Sequence, residues 1–191
     1  MKAAEVARAV VETLPAALCV SSLGTATSAL RSASGDGPHF YLGAAMGSAL
    51  AAAMGVAEAV PDRLVVAVLG DGELLMGASS LWSVSAYRPG NLVIVVLSDG
   101  VYAITGGQQL SASPRFAAVA PALGGITGLH VGSDAELRQA LRELERPSLI
   151  EAELTERAWP GPSPFVDPAQ VRLAFAAAVA ASEGPGRSSR S

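Results

Sequence analysis

Residues 64–100 read LVVAVLGDGELLMGASSLWSVSAYRPGNLVIVVLSDG. Two runs within it, LVVAVL at 64–69 and LVIVVL at 92–97, are short, unbroken, aliphatic and β-branched. Strands read this way when helices cover both faces of a parallel sheet, because neither face then meets water. Between the runs the pattern predicts a helix over 77–87, stopped by Pro89 and Gly90. A strand–helix–strand unit crosses over right-handedly, so its two strands run parallel and end at the same edge.

Each run ends in Asp-Gly, at Asp71 and at Asp99, 28 residues apart. Neighbouring strands would bring the two ends within about 5 Å, and one intervening strand within about 10 Å. Both carboxylates therefore belong to the carboxyl edge, where open α/β sheets bind their ligands. Like charges repel there unless a cation lies between them. Mg²⁺ suits such a place, since it takes hard oxygen ligands and completes its shell with water and phosphate. Gly70, Gly72 and Gly100 let the backbone approach a phosphate closely. A plainer reading stands beside this one: Asp-Gly is ordinary turn chemistry, and Asp71 serves only as a helix cap.

Outward from this unit, helices and strands alternate. An amphipathic helix is expected over 2–14, with Ala3, Val6, Val10 and Leu14 on one stripe. A strand ALCVSS follows, and Gly24 and Thr25 turn the chain into a helix over 26–33. Beyond the central unit come a long Gly-rich loop at 98–113, a helix at 115–122 and a strand at 127–131. A helix over 133–144, a strand SLIEAEL, a Pro-rich crossing and a helix over 168–181 complete the pattern. Such alternation predicts a three-layer α/β/α fold with a mostly parallel sheet, one domain over 1–181 and a disordered tail over 182–191.

Half of the 191 residues are hydrophobic, 16% are charged and the net charge is −4, with no basic run. Disorder and a nucleic-acid surface are excluded on that balance. The single cysteine, Cys19, excludes a disulfide framework or a cysteine-held cluster within this chain. FYLGAAMGSALAAAMGVAEAV at 40–60 raises a membrane span, with Gly43 and Gly47 as a GxxxG pair. Its Ala and Gly content, Glu58 and missing basic flanks favour a helix pressed against a sheet instead. A soluble cytoplasmic protein without membrane contact is the expectation, and the N-terminus lacks the apolar core of a signal peptide. Met54, Met76 and Trp82 read as packing residues. The P-loop pattern and a GxSxG elbow are absent, a dinucleotide fingerprint from Gly70 meets Leu75 where glycine is needed, and only His39 and His130 occur.

The ordered segments SSLGT, YLGAAMG, GDG, LSDGVYAITGGQ and VDPAQVRLAF together resemble the diphosphate-binding (PP) domain of thiamine-diphosphate enzymes. The likeness is greatest to the β subunits of sulfopyruvate decarboxylase and the C-terminal part of phosphonopyruvate decarboxylase. It implies thiamine diphosphate and Mg²⁺ as cofactors, with Asp71, Asp99 and the carbonyl of Val101 as metal ligands. Gly24, Thr25, Gly70, Gly72, Glu73, Tyr102 and Ile104 would line the diphosphate. Met46 would sit under the bent cofactor, and the backbone around Ala44 and Ala45 would meet its aminopyrimidine. Glu73 and Asp99 depart from the commoner serine and asparagine and make the site more negative, while Ala44 stands where glycine is usual.

The activating glutamate of this family lies on a separate pyrimidine-binding (PYR) domain, and no candidate for it appears here. Glu12 and Glu58 fall on expected helices and read as solvated or capping residues. The resemblance thus implies half of an active site, completed by a PYR-domain subunit in a hetero-oligomer, or by a homo-oligomer in its absence. The implied reaction is decarboxylation of a small 2-oxoacid, with Gln108, Thr105 and His39 as candidate contacts to a sulfonate or phosphonate. A 2-oxoacid:ferredoxin oxidoreductase chain and a non-catalytic cofactor-binding module remain open beside it.

Overall fold

The computed structural model describes residues 1–35, 37–43, 45–157 and 161–181. Its centre is the pair anticipated above: β3 (Val65–Gly70) and β4 (Leu92–Ser98) are adjacent and parallel, with Gly70 opposite Leu97. Four more parallel strands complete a sheet of order β2-β1-β3-β4-β8-β7. These are β1 (Leu18–Ser21), β2 (Phe40–Tyr41), β7 (Thr127–Val131) and β8 (Ser148–Glu153).

Alternate residues of the central strands feed two apolar cores. Val66, Val68, Val93 and Val95 pack under α1 (Ala3–Thr13), α2 (Gly24–Ser34) and α7 (Asp134–Glu143). Val65, Ala67, Ile94 and Val96 pack under α3 (Ala49–Ala59), α5 (Ser80–Tyr87) and α6 (Phe116–Ala122). Every one of those eight strand side chains is at most 1% exposed, which is why the runs carry no polar residue. α8 (Pro168–Ala180) leans on the β2 edge through a Phe40–Phe175 ring contact at 5.2 Å. The result is the three-layer α/β/α arrangement.

Several local expectations change. Residues 40–60 are not one helix: Phe40 and Tyr41 pair with β1, Met46 and Gly47 form a turn, and the helix runs over Ala49–Ala59. Gly43 and Gly47 adopt φ of 81° and 91°, a left-handed backbone that a helix cannot contain, so they form no GxxxG face. Among the described residues no helix is long and apolar enough to cross a membrane. The helix expected over 77–87 begins only at Ser80, as α5, and an unexpected helix, α4 (Asp71–Met76), precedes it; between them a Cβ on Gly77 would collide with the Gly47 carbonyl. The loop over 98–113 contains a small antiparallel ribbon, β5 (Val101–Tyr102) with β6 (Gln108–Gln109). Met76 and Trp82, expected in the core, are 63% and 58% exposed. Glu12 pairs with Arg138 at 2.8 Å. The tail over 182–191 lies outside the described residues.

His39 is buried at the amino end of β2, and its Nδ1 accepts from the Cys19 backbone N–H at 3.3 Å. Burial lowers its pKa to about 4. Above the ordinary value near 6.5 both folded and unfolded states are neutral. As pH falls through that value the unfolded chain gains a proton that the folded imidazole resists, so stability is lost between about 6.5 and 4. The loss amounts to roughly 2–3 kcal/mol. Urea midpoints of the parent and of His39→Asn at pH 7 and pH 5 check this: the parent should fall more steeply, and equal slopes would contradict it.

Candidate functional site

At the carboxyl edge β3 runs directly into α4, and Asp71 is the first helical residue. Its side chain is buried, at 4% exposure. Oδ1 accepts from the Gly72 N–H at 2.7 Å. Oδ2 accepts from the backbone N–H groups of Asp99 (3.0 Å) and Gly100 (2.7 Å), and from the Ser98 hydroxyl (3.4 Å). The two Asp-Gly turns are therefore joined by one carboxylate, and Asp71 is not the cap of α4: Gly70 holds that position, without a side-chain cap.

Asp99 is partly buried and uses Oδ1 to accept from the Val101 N–H at 3.1 Å. Burial holds its pKa above the usual carboxylate range, and the charge of Asp71 adds to that effect. Arg157 pulls the other way and donates from Nη2 to the Asp99 carbonyl at 2.9 Å. Oδ2 of Asp99 has no hydrogen bond among the described residues, so the pair keeps oxygen lone pairs for a hard cation.

A cleft opens beside these acids. On one wall α2 begins at Gly24 without a side-chain cap, so its first N–H groups are unspent, and Thr25 and Ala26 line the space. On the other wall stand Tyr102, Ala103, Ile104 and Thr105. Ile104 lies against Gly24, where an added Cβ would sit 3.5 Å from its Cδ1. Tyr102 lies so close over Gly72 that a Cβ there would come within 2.7 Å of the ring. Leu97 and Leu154 line the cleft too, as do Gly70, Val101 and Met46, which is 40% exposed. Anion-binding N–H groups, an acidic end and an apolar middle thus share one space.

Glu73 lines this cleft and is only 8% exposed. Its Oε1 accepts from the Ala49 N–H at 3.1 Å, at the first turn of α3, whose own Ser48 makes no side-chain cap. The extra negative charge is thereby taken up by a helix N-terminus.

Not every expected residue joins the cleft. His39 lies at the opposite end of its strand and does not reach it. Gln108 is exposed, with its amide spent inside the ribbon: it accepts from Thr105 Oγ1 at 2.8 Å and donates to the Thr105 carbonyl at 2.6 Å. Ala45 is exposed and accepts from the Ser22 hydroxyl at 3.4 Å. Ala44 lies outside the described residues. Leu23, Leu97, Leu154 and Arg157 went unforeseen. Apolar lining carries no motif, and Arg157 arrives from 58 positions beyond Asp99.

A family model described as "Thiamine pyrophosphate enzyme, C-terminal TPP binding domain" matches residues 22–152. The chain is 42% identical over 141 residues to a phosphonopyruvate decarboxylase of Streptomyces hygroscopicus, covering 73% of this chain and 35% of that protein. It is 35% identical over 125 residues to sulfopyruvate decarboxylase subunit beta of Methanothermobacter thermautotrophicus, covering 65% of this chain and 66% of that one. Among solved structures it superimposes on a thiamine diphosphate-dependent 4-hydroxybenzoylformate decarboxylase of Rhodococcus jostii RHA1. There the TM-score is 0.66 and the identity 25%, over 80% of this chain and 32% of that one. The chain spans about a third of the Streptomyces hygroscopicus relative.

Because Glu73 caps α3, Glu73→Ala should destabilise the cofactor-free protein by about 1–2 kcal/mol. Denaturant midpoints measure it; a stabilised variant would show that the charge is repelled rather than held.

Proposed function

The chain belongs to the thiamine pyrophosphate enzyme family, as its C-terminal TPP-binding domain, and from that premise we propose that it is the PP half of a 2-oxoacid decarboxylase of the sulfopyruvate/phosphonopyruvate type. The observation that carries this reading is the meeting of Asp71 and Asp99 at one cleft, facing the uncapped start of α2. The donor set fits the implied groups. The Asp99 oxygen that has no hydrogen bond among the described residues, the Asp71 carboxylate beside it and the carbonyl of Val101 are hard oxygen ligands of the kind Mg²⁺ takes. Unspent N–H groups at Gly24 and Thr25, with the glycine backbone at Gly70 and Gly72, suit a diphosphate. Glu73 contributes its backbone here, since its carboxylate is engaged at Ala49.

Thiamine diphosphate, when bound, supplies the electron sink for loss of CO₂ from a 2-oxoacid. This chain's part is to bind and orient. Asp71 and Asp99 would hold the metal end, Tyr102 and Ile104 would line the diphosphate, and Met46 would support the ring system. The apolar side chains exposed at the cleft mouth, Met46 (40%) and Ile104 (43%), would exclude water once a second chain covers them. That chain is a PYR-domain subunit bearing the activating glutamate, the PP domain here occupying residues 1–181. Thr105 lines the cleft and is this chain's candidate for the substrate's second anion, to which it would donate once its hydroxyl turns from Gln108 Oε1. His39 does not line the cleft, and its Nδ1 is engaged by the Cys19 N–H.

Two measurements test the reading. Calorimetry of the chain co-expressed with its PYR-domain partner should show Mg²⁺-dependent binding of thiamine diphosphate. Asp71→Asn, which keeps an acceptor for the 98–100 turn, should weaken that binding by more than about 100-fold, and Asp99→Asn by about 10-fold. Unchanged affinity in Asp71→Asn would remove the metal assignment. The same complex should release CO₂ from sulfopyruvate or phosphonopyruvate in preference to pyruvate; preference for pyruvate would overturn the substrate class.

A further inference from the structure

The opposite edge of the sheet holds a second cavity, where α5 ends and where β7 and β8 begin. Arg88, Thr127, Glu145, Arg146 and Pro147 are among its lining residues. Two arginines thus border one space, and neither forms an ion pair among the described residues, with Glu145 or any other acid. The Nε of Arg146 is shielded from solvent and has no hydrogen-bond partner there. A shielded N–H without an acceptor is unfavourable, and a small shift of this side chain toward an acceptor held in the cavity would relieve it.

Both arginines are held in place by backbone. Arg88 caps α5 in the left-handed conformation, at φ 50°, and its Nε donates to the Ser85 carbonyl at 3.2 Å. Its guanidinium lies over Gly125, where any Cβ would collide with it. The Ser85 hydroxyl, 2.8 and 2.7 Å from the carbonyls of Leu123 and Gly124, fixes the turn that carries Gly125. Arg146 Nη2 donates to the Leu141 carbonyl at 3.5 Å. Thr127 donates its hydroxyl to the carbonyls of Glu145 and Pro147, tying the start of β7 to the approach of β8. The charged lining is two cations and one anion, and fixed guanidinium forks match oxyanions in shape as well as charge.

We propose that this cavity, built by Arg88 and Arg146 at the amino edge of the sheet, binds a small oxyanion. The site is separate from the cleft at the carboxyl edge and does not depend on the function assigned there. Tetrahedral phosphate and a carboxylate share the required chemistry, and the experiment tells them apart.

Thermal unfolding of the protein is followed in phosphate, in acetate and in chloride at equal ionic strength and pH. At about ten times its dissociation constant, the preferred oxyanion should raise Tm by about 3 °C over chloride. The larger of the phosphate and acetate shifts identifies the kind of group bound. Arg88→Gln and Arg146→Gln should each abolish the shift, every variant being judged against its own Tm in chloride. Both leave Thr25, Asp71 and Asp99 intact, so a shift arising in the other cleft would survive in them. Survival in either variant, or no rise over chloride in the parent, overturns the proposal.

Discussion

A carboxylate removed from water must be given donors, or the fold loses the several kcal/mol that its hydration supplied. Asp71 receives four: three backbone N–H groups and a hydroxyl, contributed by its own helix and by the turn after the neighbouring strand. The bonds set the order in which the site is built. Parallel pairing of β3 and β4 brings the strand ends level, Asp71 locks the turns together, and Asp99 then projects beside it. Arg157 balances some of the resulting charge from outside the motif.

The parts legible in the sequence are those governed by local chemistry. Continuous aliphatic runs announced the central strands because parallel strands are covered on both faces, and the repeated Asp-Gly marked the edge where the cleft opens. Uncharged alanine-rich sequence gave no such guidance at 40–60, where strand, turn and helix share one composition. Its division depends on Gly47 meeting Gly77, a contact between segments 30 residues apart. Long-range contacts of this kind leave no periodic trace. For the same reason Glu73 read as an awkward charge, although the partner that accommodates it, Ala49, lies in a different helix. His39 failed in the opposite sense: a polar residue type suggested chemistry, and burial made it a structural acceptor.

Four buried or partly buried ionisable side chains show two kinds of role. Glu73 and Glu151 accept from helix amides, Glu151 from the Ala117 N–H at 2.9 Å, and each joins a helix to another element. Asp99 instead retains an oxygen with no bond among the described residues, as Arg146 retains a shielded N–H. Saturated groups hold the architecture together, and unsaturated ones mark where it addresses something outside itself.

At Gly47 and Gly77 main chain rests on main chain. Side chains can change rotamer to absorb a displacement, whereas two apposed backbones cannot. The turn bearing Met46 and the helix bearing Asp71 therefore move as one body, and that flank of the cleft has a fixed width. Any adjustment to a larger or smaller guest must come from the far side, where the Tyr102–Thr105 segment is anchored mainly by a two-residue ribbon.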